Sequence, residues 1–322
     1  MAEEEEVSIN VRRPGTRHFL SLRQRLAFSV GHVLNDVCAA IWFSYFLVYM
    51  HFVNRFHTTF AGVLLLIGQT ADAIATPFVG IESDKDSDWW ICKYGRRKSW
   101  HLLGTVCVLM SFPFLFNKCI ECESSHESAQ MVYYSAFIVV FQFGWASVQI
   151  SHLSLIPDLT PFSNERVELN AWRYAFTVSS NIAVYVITWI VFHIGGKDNA
   201  DNDQITPSDA FIFRDIVFIV MAIGLFFSVV FHLGVKERPQ SGATTSSSST
   251  SNEDSIDFCL PSAETHLKWR NWLKESQFYK VALLYMGTRL CVNLTQVYIP
   301  LFLQDSLHLK KVNHFFGLFS IL

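Results

Sequence analysis

The sequence is short of charge. Asp, Glu, Lys and Arg make up 16% of its 322 residues, where a soluble domain carries about 25%. So few charged side chains leave a water-facing surface uncovered, which excludes an ordinary soluble fold. Disorder is excluded as well, because disordered chains are poor in apolar residues and this one is 51% hydrophobic. Catalytic signatures are also missing. There is no GxSxG, HExxH, Walker or GxGxxG pattern, so an enzyme is not expected. The histidines show no metal-ligand spacing, and most read as loop or interfacial residues; no metal, no cofactor and no nucleic-acid partner is expected. The seven cysteines do not form a disulfide framework. Cys38, Cys107 and Cys291 fall in apolar runs, where a thiol packs as a small apolar group. Cys119 and Cys122 form a CxxC that reads as loop thiols, a small local disulfide, or a redox or metal pair.

What is present is a series of long apolar runs. A membrane helix needs about 20 mostly apolar residues. Leu26–Asn54, Phe56–Ile81 and Val281–Gln304 each contain a single charge; Ser99–Asn117, Ser128–Pro157, Tyr174–Gly196 and Ile216–Val235 contain none. An eighth run starts at Val312. Seven such runs separated by charged loops cannot pack around one aqueous core, so a multi-pass membrane protein in a lipid bilayer is predicted. Lys and Arg cluster before the first run (Arg12, Arg13, Arg17, Arg23, Arg25), after the second (Lys85, Lys93, Arg96, Arg97, Lys98) and after the sixth (Lys236, Arg238, Lys268, Arg270, Lys274). The positive-inside rule then places the N-terminus in the cytoplasm. No signal peptide is expected at the acidic start. The stretch SGATTSSSSTSNEDS reads as disordered linker. Trp269, Trp272, Leu273 and Ser276 share one face of an expected amphipathic helix at the membrane surface.

Charges inside the runs carry the functional reading. A charged residue at the centre of a membrane helix costs about 2.5–3.5 kcal/mol on insertion scales, so it normally faces a wet or protein-lined interior. Asp36 lies about 15 Å into the first run at 1.5 Å per residue, with Asn35 and His32 beside it. Asp72 is similarly deep in the second, with Thr76 one turn on along the same face. Pro77 is expected to interrupt that helix and free carbonyl groups. A desolvated carboxylate favours taking up a proton or a cation, so either aspartate is a candidate binding group. A helix capped at Ser163 or Asn164 would put Arg173 about two turns inside, where it would pair with Asp36 or Gln149. Arg289 is long enough to snorkel, and its place stays open.

GQTADAIATPFVG at 68–80, SDK at 83–85 and YGRRKSW at 94–100 resemble the second-to-third helix region of the glycoside-pentoside-hexuronide:cation symporters of the major facilitator superfamily. QISHLSLIPDLT at 149–160 and AWRYAF at 171–176 continue the melibiose permease pattern of that family. The resemblance implies an all-α membrane fold, with a six-helix N-terminal bundle and the start of a C-terminal one. It implies that Asp36 matches a sugar-site carboxylate and Arg173 the sugar-site arginine. Gln149 stands where the family has a second acid, and Leu153 where it has a stacking aromatic. Losing two of four sugar contacts argues against a sugar. The remaining Asp36–Arg173 pair, with Asn35 and Gln149, suits an amino acid such as cysteine. The family's cation site uses two carboxylates one turn apart; Asp72 keeps the first and Thr76 replaces the second, which predicts a proton or no coupling ion rather than sodium. Gly80, Asp84, Gly95, Arg96, Arg97 and Lys98 match the family's gating loop. The resemblance further implies a lysosomal and melanosomal membrane and an effect on pigmentation.

The expected organisation is a cytoplasmic tail over 1–25, a six-helix bundle over 26–235, a cytoplasmic linker over 236–277, and an incomplete C-terminal bundle over 278–322 with a seventh helix and part of an eighth. A two-half transporter needs about twelve spans, so a fragment or short isoform is expected. The competing expectations are a cation-coupled sugar symporter and a non-transporting isoform that binds or regulates a partner.

Overall fold

A computed structural model describes residues 20–85, 94–120, 125–195, 205–237 and 274–306; all regular structure among them is helical. The predicted eighth run, the CxxC residue Cys122 and nearly all of the expected surface helix lie outside these residues. The first span is built in pieces: α1 (Leu22–Ser29), a 3-10 turn (Val30–His32), α2 (Val33–Val48) and a π-helical turn (Tyr49–Val53). Then follow α3 (Thr58–Asp84), α4 (Arg96–Leu115), α5 (Glu127–Leu159), α6 (Ser163–Gly195), α7 (Ala210–Gly234) and α8 (Ser276–Asp305).

Polar side chains start several of these helices. The Ser21 hydroxyl accepts from Gln24 N–H while the Gln24 side chain accepts from Ser21 N–H, a reciprocal cap. The His57 and His126 rings accept from the amides of Thr59 and Ser128, satisfying donors that a helix start leaves open. Pro77, expected to interrupt its helix, instead lies within a continuous α3. A membrane helix tolerates the lost amide when neighbours pack around it.

Among the described residues five helical segments are long and apolar enough to cross a membrane: Leu22–Val53, Thr58–Asp84, Glu127–Leu159, Ser163–Gly195 and Pro207–Gly234. α4 and α8 lie on the other two predicted runs but carry more polar residues. The first span is central, with 89% of its apolar window buried against 22% for α3. Its partners are α6 and α7 on one side, while α3 and α4 both pack on α5. Rings fill the space between: Trp42 stacks on Phe46 with centroids 4.2 Å apart, and Phe112 meets Phe141 at 5.0 Å. Outward residues such as Leu66, Ile74, Phe78, Ile81, Phe226 and Leu233 are exposed and apolar, the inverse of a soluble surface and suited to lipid.

α4 and α5 approach through Gly104 and Gly144. A Cβ on Gly104 would sit 2.6 Å from the Gly144 carbonyl oxygen, and one on Gly144 would sit 2.8 Å from Cys107 Cβ. Only hydrogen fits at this crossing. α8 rests on α2, burying Val297 and Leu303, and is otherwise largely exposed. Cys38, Cys107 and Cys291 are free thiols within helices, as expected, and Cys119 is disulfide-bonded.

Candidate functional site

Asp36 sits in the first turn of α2 and is 5% exposed. The 3-10 turn before it puts His32 one helical turn away, and His32 Nδ1 lies 2.9 Å from Asp36 Oδ1. The other oxygen accepts from Thr177 Oγ1 at 3.0 Å. Thr177 stands one turn beyond Arg173 on α6, so the arginine reaches the same region by the route predicted. The contact differs from the expectation. Arg173 forms no ion pair with Asp36 or hydrogen bond with Gln149 among the described residues; it acts through space on Asp36, Tyr285 and Arg289. Its Nε is buried without a partner. Asp36 instead takes one bond on each oxygen, from His32 and from Thr177.

The two other predicted substrate residues are joined through one tryptophan. Asn35 Nδ2 donates to the Trp145 carbonyl at 3.0 Å, and Trp145 Nε1 donates to Gln149 Oε1 at 2.7 Å. Asn35 Oδ1 is buried without a partner, as is Gln142 Nε2 nearby on α5. Asn35 and Gln149 are thus linked through Trp145, while Asp36 and Arg173 interact through space without a direct bond. Asp72 and Thr76 are together on α3, the threonine donating to Asp72 Oδ1 at 3.3 Å, and Arg289 of α8 interacts electrostatically with Asp72. Among the described residues no group of three His, Cys, Asp or Glu is arranged to hold a metal.

The expected gating residues lie at the basic end of the bundle. Arg97 pairs with Asp84 at 2.6 Å and approaches Asp158 of α5 at 3.6 Å, while its Nη1 donates to Ser83 Oγ at 3.2 Å. Arg96 donates to the Asp84 carbonyl at 3.1 Å. Glu237 accepts from the amides of Arg97 and Lys98 at 3.0 and 3.1 Å, a carboxylate on the positive end of α4. Gly95 before it has φ 128°, and a Cβ there would meet Glu237 Oε2 at 2.5 Å. Lys98 turns away from α3, donating to the carbonyls of Val235 and His232 at 2.7 and 3.0 Å and lying over the Tyr94 ring. Burial lowers the Lys98 ammonium from its ordinary range, opposed by Glu237, and raises the Tyr94 phenol. Gly80 makes no close approach: a Cβ there would meet nothing within 4 Å.

Two arrangements have no counterpart in the sequence reading. Glu165 in the first turn of α6 is a buried anchor: it accepts from Arg25 Nη2 at 3.0 Å and from Thr160 Oγ1 at 2.6 Å. Arg25 also pairs with Glu168. The second is a group of interior histidines, a minority of the twelve. His32, His101 and His152 are buried, and with His232 they cross from α4, α5 and α7 to the first span. The four histidines are 51 to 200 positions apart, and only His32–Asp36 has helical spacing, so no local pattern announces the group.

The whole arrangement, charged groups enclosed by apolar helices with a paired basic end, suits passage of a solute through the bundle. A family model described as MFS/sugar transport protein matches residues 27–319. The chain is 47% identical over 304 residues to major facilitator superfamily domain-containing protein 12 of Mus musculus, covering 92% of this chain and 62% of the relative. The Homo sapiens protein of the same name is 47% identical over 300 residues, 91% of this chain and 61% of the relative. A lactose permease of Lactobacillus delbrueckii subsp. bulgaricus is 24% identical over 223 residues, 67% of this chain and 34% of the relative. The chain spans about three fifths of the length of the first two relatives. It belongs to the MFS/sugar transport protein family, and so to the membrane transporters of the major facilitator superfamily rather than to the enzymes.

Proposed function

We propose that this chain moves a small zwitterion, cysteine in the first place, by alternating access, with the amine at Asp36 and the carboxylate at Arg173. The observation that carries the reading is the set of partnerless buried atoms beside Asp36: Arg173 Nε and Asn35 Oδ1. A buried donor or acceptor without a partner costs about 1–3 kcal/mol, and a bound solute would supply the missing bonds. Asn35 and Gln149 flank the substrate. Asp72 with Thr76 is the coupling site, and one carboxylate favours a proton over sodium. Asp84, Gly95 and Arg96–Lys98, with Gly80 on the same segment, hold the basic end closed, and that end faces the cytoplasm. The membrane is that of the lysosome and melanosome, which links the solute to pigmentation. These last points rest on the family resemblance and on the distribution of Lys and Arg.

The test is uptake of labelled cysteine into vesicles carrying the full chain. Asp36→Asn and Arg173→Ala should each lower uptake about 100-fold, as loss of a buried charged contact of roughly 3 kcal/mol implies. Normal transport by both variants would overturn the site, and sodium dependence at fixed pH would overturn proton coupling. The second reading is a cation-coupled sugar symporter, favoured by the family description and the lactose permease likeness. Gln149 and Leu153 weigh against it. Competition of cysteine uptake by a galactoside would decide for the sugar.

A further inference from the structure

Behind Asp36 the histidines form a continuous row, and their hydrogen bonds fix which nitrogen carries the proton. His152 Nε2 lies 2.8 Å from the Phe28 carbonyl and His101 Nε2 lies 3.0 Å from the Gly31 carbonyl. A carbonyl only accepts, so both Nε2 atoms are N–H and both Nδ1 atoms are lone pairs. His101 Nδ1 therefore accepts from His232 Nε2, 3.1 Å away. His232 Nδ1 is then a lone pair, 3.1 Å from the Tyr94 hydroxyl at the basic end. At the other end of the row the ionised Asp36 accepts from His32 Nδ1–H, leaving Nε2 as a lone pair. Two lone pairs remain over, His32 Nε2 and His152 Nδ1, and both are buried without a partner. Their rings have centroids 5.7 Å apart, and His152 and His101 are 6.0 Å apart.

We propose that His32 and His152 form a proton-binding site that discharges Asp36. The step balances simply. A proton added to His32 Nε2 is matched by transfer of the Nδ1 proton to Asp36 Oδ1. The imidazole stays neutral in its other tautomer, and the carboxylate becomes a neutral acid. No second ion is required. Protonated Asp36 no longer attracts an amine, so proton and zwitterion compete for the same carboxylate. The charged and titratable groups around the row are few. Asp36, Arg173 and Arg289 face His32. His32, His101 and Arg173 face His152. His232, His32 and Lys98 face His101, and Lys98 faces His232. Transfer on to Asp36 leaves a neutral imidazole rather than an imidazolium beside the arginines. The idea rests on the proton-coupled reading above but moves the titrating group from Asp72 to the histidine pair.

Two substitutions keep each structural bond while removing the free lone pair. His32→Asn retains a donor in place of Nδ1 for Asp36, and His152→Gln retains one in place of Nε2 for Phe28. Apparent cysteine affinity of the full chain in lipid nanodiscs should fall about tenfold per pH unit on acidification, the slope for one linked proton. In either variant the change should shrink below about twofold. Histidine 15N NMR of the same samples needs no substrate: one buried-imidazole protonation event on acidification should vanish in both variants. An unchanged pH slope in the variants, or no titrating imidazole in the parent chain, would overturn the proposal. If cysteine does not bind at any pH while the imidazole still titrates, the substrate reading fails and the proton site stands.

Discussion

The basic end of the bundle and its interior around Asp36 are both polar regions in an apolar protein, yet they are finished differently. At the basic end Arg25 meets Glu165 and Glu168, Arg97 meets Asp84, Glu237 caps α4, and Lys98 is held by two carbonyls; Arg97 Nε, 3.6 Å from Asp158, is the exception that lacks a hydrogen bond. In the interior, His32 Nε2, Asn35 Oδ1, Gln142 Nε2, His152 Nδ1 and Arg173 Nε are all buried without partners. Satisfied networks fix a shape, whereas unsatisfied ones in a low dielectric hold free energy that a ligand or proton can release. The contrast separates residues that hold the bundle from residues kept for something that binds.

Substitutions on each side of that contrast should have opposite signatures. The largest effect is expected from Arg25→Met, which leaves Glu165 as an uncompensated buried charge. Loss of about 3–5 kcal/mol should appear as a large drop in thermal midpoint and in the yield of folded protein. Asp36→Asn should do the reverse, abolishing cysteine uptake while the thermal midpoint holds or rises. A variant that lost both together would erase the distinction. Thr76→Asp should come next: a second carboxylate one turn from Asp72 should create sodium-stimulated uptake, measured at fixed pH. Smaller is Thr177→Val, which frees Asp36 Oδ2 from one bond of about 1 kcal/mol and should change cysteine affinity by about fivefold, with little change in stability.

Much of the fold was legible because lipid imposes a simple rule on a span: length and absence of charge. All seven predicted runs fall on helices. Asp72 and Thr76 were legible for the same kind of reason, since residues four apart on a helix must meet. What escaped was set by tertiary packing. Arg25 and Glu165 are 140 positions apart, and nothing local to either announces the other. The histidine row spans four helices, each contributing one imidazole to a line that exists only after assembly. Arg173 falls in the expected region but without the expected direct contact, because rotamer and packing on α6, which no local pattern shows, decide where its guanidinium ends. Pro77 misled for a local reason: its missing amide is visible in the sequence, whereas the packing that keeps α3 continuous is not.

The 3-10 turn at Val30–His32 has a mechanical consequence. Its neighbouring carbonyls, Phe28 and Gly31, are fastened by imidazole donors from α5 and α4. Swinging α1 against α2 at this point exchanges two such bonds, about 1–3 kcal/mol, without melting any helical turn. The first span is thus a jointed rod, and the pins of its joint are imidazole rings that belong to other helices.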